Sequence, residues 1–185
     1  YYTRALDANY YAYEVWDVSA WKASPSARDL SYHTAVIWNT GGNYWAATSG
    51  LTAGEEASLR TYLDGGGKLF LSGQDLLYNG VSSQFLANYL HIADFEDDIG
   101  VFRVAGVFGD PIAQGMNLAI QVPAAYEANY ADTLWPTSDA AGVFLAIETG
   151  RSTLDLFSGV RYPASGSSPF RVVFFAFPFE ANSTT

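Results

Sequence analysis

The alternation of apolar and polar positions is sharpest between residues 52 and 75. Leu59, Tyr62 and Leu63 recur at helical spacing. Thr52 and Glu55 have the spacing of a capping box, in which hydroxyl and carboxylate each satisfy an orphan amide. Glu55 and Glu56 place negative charge on the first turn, and Glu56 stands four residues before Arg60. Gly65-Gly66-Gly67 ends the helix where left-handed backbone is needed. Leu69-Phe70-Leu71 is then apolar at every position, the pattern of a central parallel strand buried on both faces. Ser72-Gly73-Gln74-Asp75 follows as a polar turn, where an open α/β sheet gathers its ligands.

On either side the pattern predicts further elements. Residues 2–9 read as a short helix, and 13–18 alternate as a strand does. Ser26 is placed to cap one helical turn through Leu30. Residues 35–38 form a second buried strand, ending in Asn39-Thr40-Gly41-Gly42-Asn43, a turn that lies beside Ser72–Asp75 if the two strands are parallel neighbours. Ser82 or Ser83 starts a helix with Phe85, Leu86, Tyr89 and Leu90 on one face. Asp94, Glu96, Asp97 and Asp98 read as an acidic loop. Beyond it, 101–104, 118–122, 142–147, 156–162 and 170–177 have β character, with turns at Gly109-Asp110-Pro111 and across 164–169. Residues 123–140 show no clear period. No repeat or linker divides the chain, so residues 1–185 read as a single domain.

Composition narrows the function classes. A net charge of −10 with two lysines, Lys22 and Lys68, repels phosphate backbones and argues against nucleic acid. No apolar run approaches the ~20 residues of a membrane span. The absence of cysteine excludes disulfides, thiolate metal sites and a cysteine nucleophile. A lysine-poor chain rich in tyrosine, tryptophan, glycine and serine suits a secreted bacterial protein, and the start at Tyr1 suggests a processed product or a piece of something longer.

Ser72, Asp75 and His91 are the residue types of a nucleophile, an orienting acid and a base, although the Gly-x-Ser-x-Gly pattern is missing. The plainer reading makes Ser72 and Asp75 turn residues and His91 a helix C-terminal residue. His33 has no partner nearby in sequence, and two histidines without cysteine make a poor zinc set. Asp94, Glu96, Asp97 and Asp98 offer oxygen ligands of the kind calcium takes, without the Asp-x-Asp-x-Asp-Gly signature. No other cofactor is indicated. Trp16, Trp21, Trp38, Trp45 and Trp135 suggest an aromatic glycan- or peptide-binding surface; Trp38 and Trp16, on strand-like stretches, read as core, and Tyr44 and Trp45 in the glycine-rich loop are the better candidates. Asn182-Ser183-Thr184 matches a glycosylation sequon.

Several phrases in order carry a resemblance: Ala5-Leu6-Asp7-Ala8, Tyr13 to Val18, Val36 to Gly41, Leu51 to Asp75, Phe85 to His91, and Arg171 to Glu180. Together they resemble a class I glutamine amidotransferase-like (flavodoxin-like) domain of large secreted bacterial proteins, often attached to peptidases. The resemblance implies an α/β fold: a three-layer αβα, mostly parallel sheet with extra β segments in the C-terminal half. Relatives carry an apolar first strand and a final helix that are absent here, so the domain looks truncated at both ends. They also place a cysteine on the turn after the central strand, where this chain has Ser72-Gly73-Gln74-Asp75, so glutamine hydrolysis by that mechanism is excluded.

The expectation is a non-catalytic accessory or interaction domain of an extracellular protein, contacting neighbouring modules or a partner chain. Its contact surface would be the carboxyl end of the sheet: Thr40, Gly41, Gly42, Asn43, Tyr44 and Trp45 with Gly73 and Gln74, beside Ser72 and Asp75. The alternatives are a hydrolase using Ser72, Asp75 and His91 in the same cleft, or an aromatic glycan-binding module.

Overall fold

A computed structural model describes residues 1–41, 50–78, 80–121, 129–149 and 156–184. The amino-terminal part holds α1 (Tyr2–Ala8), α2 (Val18–Trp21), α3 (Ala27–Ser31), β1 (Val36–Gly41), α4 (Ala53–Asp64) and β2 (Lys68–Gly73). Then come α5 (Ser83–Phe85), which runs into a π-helical turn at Leu86–Leu90, β3 (Ile92–Glu96), β4 (Val101–Gly106), β5 (Asn117–Ile120) and β6 (Thr133–Pro136). The remainder is β7 (Ala141–Thr149), β8 (Phe157–Tyr162), β9 (Arg171–Phe175), a 3-10 turn at Phe179–Ala181, and β10 (Asn182–Thr184).

The local signals around α4 act as their chemistry dictates. Thr52 and Glu55 form the capping box in both directions, and Ser26 does the same with Asp29 for α3. Gly66 takes the left-handed backbone, φ +93°, just past α4. Leu59, Tyr62 and Leu63 are buried, with Glu56 buried beside them. That carboxylate is fully engaged: Arg60 approaches at 2.9 Å, and both the amide and the hydroxyl of Ser82 donate to it. It thereby ties α4 to the start of α5.

β1 and β2 are parallel neighbours, with Trp38 opposite Leu71 and Asn39 opposite Ser72. β2 is in turn parallel to β9, with Leu71 opposite Phe174. Parallel pairing stops there. β9 meets β8 antiparallel, and the sheet continues antiparallel through β7, β4, β5 and β10, with β3 and β6 joined at the side.

The expected three-layer, mostly parallel flavodoxin-like sheet is therefore overturned: the architecture is a mixed, curled half-barrel. The physical reason lies in what covers the second face of the parallel strands. On one face, Leu69, Leu71, Val172 and Phe174 pack with Leu30, Leu59, Leu63, Phe85 and Leu90 from the helices. On the other, Phe70 meets Phe175 and Phe179 edge-on or tilted, and these join a core built by the sheet's own later strands, including Val104, Leu118, Val143 and Phe144. Tyr1 and Tyr2, at the start of α1, reach that side, against Phe179 and Phe70. Strands that curl over to bury their own aromatic face leave no room for a second helical layer.

Smaller corrections follow from burial. Residues 13–18 form no strand: 13–17 have no regular structure and are largely exposed, and Asp17 caps α2, which begins at Val18. β1 is an edge strand, alternately half-buried and exposed, not a strand buried on both faces. Asp94 and Glu96 lie on β3 instead of a loop, and β6 occupies part of the stretch without visible period. Among the described residues no helix is long and apolar enough to cross a membrane.

Removing the Glu56 carboxylate strands the Ser82 amide in a half-buried position. Glu56→Ala should cost about 2–3 kcal/mol in urea unfolding, whereas Glu55→Ala, at the more exposed box position, should cost about 1 kcal/mol.

Candidate functional site

The carboxyl end of β2 is positioned by backbone bonds from distant parts of the chain. Ser72 is fully buried; its hydroxyl donates to the carbonyl of Phe177 at 3.0 Å and accepts from the amide of Phe179 at 2.9 Å. Gly73 lets β1 approach closely, since a Cβ there would stand 1.8 Å from Thr40 Oγ1. The Gln74 amide donates to the carbonyl of Gly41, and its buried side-chain oxygen accepts from the amide of Tyr130 at 3.3 Å. Asp75 then turns left-handed, φ +58°, a conformation that aspartate and asparagine tolerate better than most residues. The two turns expected to meet thus do so at Thr40-Gly41 and Gly73-Gln74. Gly42, Asn43, Tyr44 and Trp45 lie outside the described residues.

A second arm arrives through the β3–β6 ladder. Glu96 is opposite Thr133, so Asp97 and Asp98, just after β3, stand beside Asp132, just before β6. The Asp132 amide donates to the carbonyl of Ala176, next to the end of β9, and β9 carries Phe175 opposite Ser72. This chain of register relations brings Asp75, Asp97, Asp98 and Asp132 to one place. The carboxylates of Asp75, Asp97 and Asp98 offer oxygens that all lie within 4.8 Å of one another. Asp132 is fully buried: its Oδ1 accepts from the Asp98 amide at 3.1 Å, and its Oδ2 is out of solvent without a hydrogen-bond partner among the described residues.

The electrostatics follow from burial and like charge. Desolvation, followed by the charges of Asp97 and Asp98, pushes the Asp75 carboxyl up to about 6. Asp132 is raised well above the usual carboxylate range, first by burial and then by Asp97, Asp75 and Asp98, with only the Asp98 amide pulling the other way. The donors are all hard oxygens, which suit calcium or magnesium and not zinc.

Other expected site residues fall elsewhere. The His91 ring stacks on Tyr162, with centroids 3.4 Å apart and planes at 4°, and its Nδ1 lies 3.2 Å from Asp139. Tyr162 pairs with Val172, opposite Leu69, three residues back from Ser72. That is about 10 Å of strand at roughly 3.3 Å per residue. The Ser72 hydroxyl, for its part, is spent on backbone. The structure does not bring the two together as nucleophile and base. His33 sits 3.5 Å from Glu14 on an exposed rim. Asp94 is exposed, with Oδ1 accepting from the Phe95 amide, and Glu96 lies on β3; neither belongs to the group of close carboxylates. Asp132 was not anticipated; its only signal in the sequence is a lone aspartate ahead of the short run Thr133-Leu134-Trp135.

No family model matches the chain, and no curated protein matches it in sequence. Among solved structures it is similar to the "mmIFT52 N-terminal domain", with a TM-score of 0.56 and 14% identity, covering 98% of this chain and 79% of that one. It also matches the "Cytoplasmic Protein STM3548 from Salmonella typhimurium" with a TM-score of 0.44 and 13% identity, covering 83% of this chain and 64% of that one. The first likeness supports the curled half-barrel fold alone, and the expected amidotransferase-like, flavodoxin-like character is corrected accordingly.

Two outcomes test this geometry. Ser72→Ala should cost about 1–3 kcal/mol, because it leaves the Phe179 amide unsatisfied; equilibrium unfolding would register this as a stability change. Asp75 binds its proton more tightly folded than unfolded. It therefore favours the folded state at low pH, and that contribution is lost as pH rises from about 4 through about 6. In chelator, the melting temperature of Asp75→Asn should fall less than that of the parent chain across this window.

Proposed function

We propose that the chain is a non-catalytic interaction domain, an accessory module of a larger secreted protein, that binds an extended segment of a partner polypeptide along β1. One observation carries the reading. β1 pairs only with β2 among the described residues, and its open side borders a groove of about 880 Å³ lined by Tyr11, Tyr13, Trp16, Leu30, Tyr32 and Trp38. An open strand edge offers a row of unpaired backbone groups, and adjoining side-chain pockets supply specificity. Large aromatic rings line the approach. Trp16 and Trp21 stack at 4.9 Å, with Trp21 63% exposed, and Ile37 on β1 is 42% exposed. The secreted setting is supported by the lysine-poor composition, rich in tyrosine, tryptophan, glycine and serine.

Charge selects the partner's chemistry. Glu14 and Asp29 line the groove, and the chain carries a net charge of −10, so a segment alternating apolar and basic residues fits best. The binding mode is strand addition, with no bond made or broken.

Selection of extended peptides from a displayed library against the folded chain tests this. Enriched peptides should alternate apolar and basic positions, bind at least tenfold more weakly to Tyr32→Ala, and lose affinity when their own backbone amides are methylated. Absence of any enriched peptide, or binding indifferent to both changes, overturns the reading. Retention on a polysaccharide gel that Trp21→Ala abolishes would point instead to a glycan.

A further inference from the structure

The acidic group beyond β2 lies apart from the β1 groove and rests on different observations. We propose that Asp75, Asp97 and Asp98, backed by the buried carboxylate of Asp132, form a calcium-binding site that fastens three separate chain segments together at the carboxyl end of β2.

The first observation is the ligand geometry. Three carboxylates from two turns offer oxygens within 4.8 Å of one another. Oxygens around a shared calcium ion at about 2.3–2.6 Å span at most about 4.6–5.2 Å, so this spacing fits a single coordination sphere. The second observation is independent of that proximity. Asp132 is fully buried and reaches the cluster through Oδ1, which holds the Asp98 amide, while Oδ2 has neither solvent nor a hydrogen-bond donor among the described residues. A buried carboxylate is costly unless a cation or donors compensate it. The charges acting on Asp132 are those of Asp97, Asp75 and Asp98, all of its own sign. A divalent cation held by Asp75, Asp97 and Asp98 would offset the like charge that surrounds the buried Asp132.

The choice of ion follows from the donors. They are carboxylates only, without imidazole or thiolate, which excludes a preference for zinc or copper. Magnesium demands a tighter octahedron at about 2.0–2.1 Å and retains several waters, whereas calcium accepts irregular sets of six to eight oxygens. The site's role is structural. Asp75 follows β2, Asp97 and Asp98 link β3 to β4, and Asp132 leads into β6, so one ion would tie the end of β2 to the paired β3–β6 ladder.

Calorimetric titration of calcium chloride into the chelator-treated chain, beside magnesium chloride, tests the proposal. The expected result is one calcium bound per chain, a melting temperature that climbs with calcium concentration, and at least tenfold weaker binding of magnesium. Asp97→Asn, at the half-buried turn, should keep the metal-free fold while weakening calcium at least tenfold. Terbium luminescence sensitised by the chain's own aromatic residues, and displaced by calcium, provides the same readout on the unsubstituted chain should that variant not fold. No heat, no terbium displacement and no thermal shift up to about 10 mM calcium, well above the dissociation constants of extracellular calcium modules, would overturn the site. So would a response that magnesium reproduces or that Asp97→Asn leaves intact.

Discussion

The fold depends on a clamp at the carboxyl end of β2. The Ser72 hydroxyl joins that end to the carbonyl of Phe177 and the amide of Phe179, more than a hundred residues later. Both partners lie just beyond β9, so the bond fixes where the last parallel strand stops and where the chain turns toward β10. β10 then pairs with β5, and the sheet curls on itself. A buried hydroxyl with both its donor and one acceptor position used is a positional device. Gly73 contributes the complementary constraint, because only a residue without Cβ lets β1 lie so close.

The same region holds buried charge without the compensation found elsewhere in the fold. Glu56, Asp110 and Asp132 are all buried, yet they are treated differently. Glu56 has Arg60 and two donors from Ser82, and Asp110 has Arg161 at 2.6 Å and the amides of Ile112 and Ala113. Those two are compensated, and they join elements that would otherwise only touch. Asp132 has one amide and three carboxylates for company. Departures from local consistency concentrate where a protein does something other than fold. That contrast, more than the number of aspartates, is what the proposed calcium site rests on.

Much of the local structure was legible because it rests on short-range chemistry. The capping boxes at Thr52 and Ser26, the glycine stop after α4, the ion pair from Glu56 to Arg60, and the parallel neighbours β1 and β2 all have signatures within a few residues. The global arrangement was not legible, for a definite reason. Leu69-Phe70-Leu71 reads as buried on both faces, and it nearly is, but the sequence does not say what buries Phe70. A helix layer and a curled sheet of the chain's own strands satisfy the same apolar pattern. Phe175, Phe177 and Phe179 decide for the curl, through ring contacts that depend on tertiary position. Likewise Asp97 and Asp98 stood out as part of an acidic run. Their partners Asp75 and Asp132 come from 22 residues before and 34 residues after Asp97 and Asp98, respectively; the Glu96–Thr133 register, with the bond from the Asp132 amide to Ala176 beside β9, joins them.

The change from parallel to antiparallel pairing at β9 accounts for both surfaces to which functions are assigned. In a sheet that stayed parallel, the carboxyl ends would form one continuous rim, with helices on both faces. Here β9 has a parallel neighbour on one side and an antiparallel one on the other. The rim is therefore short, and the space beyond β2 and β9 is filled by turns arriving from the antiparallel half. Those turns carry Asp97, Asp98 and Asp132 into contact with a residue of the parallel half, Asp75. At the far side, the parallel half comprises three strands among the described residues, and there β1 has no partner on its outer side, near the aromatic segment of residues 11–21. The acidic crevice at the junction and the edge of β1 at the margin are thus two consequences of one topological break.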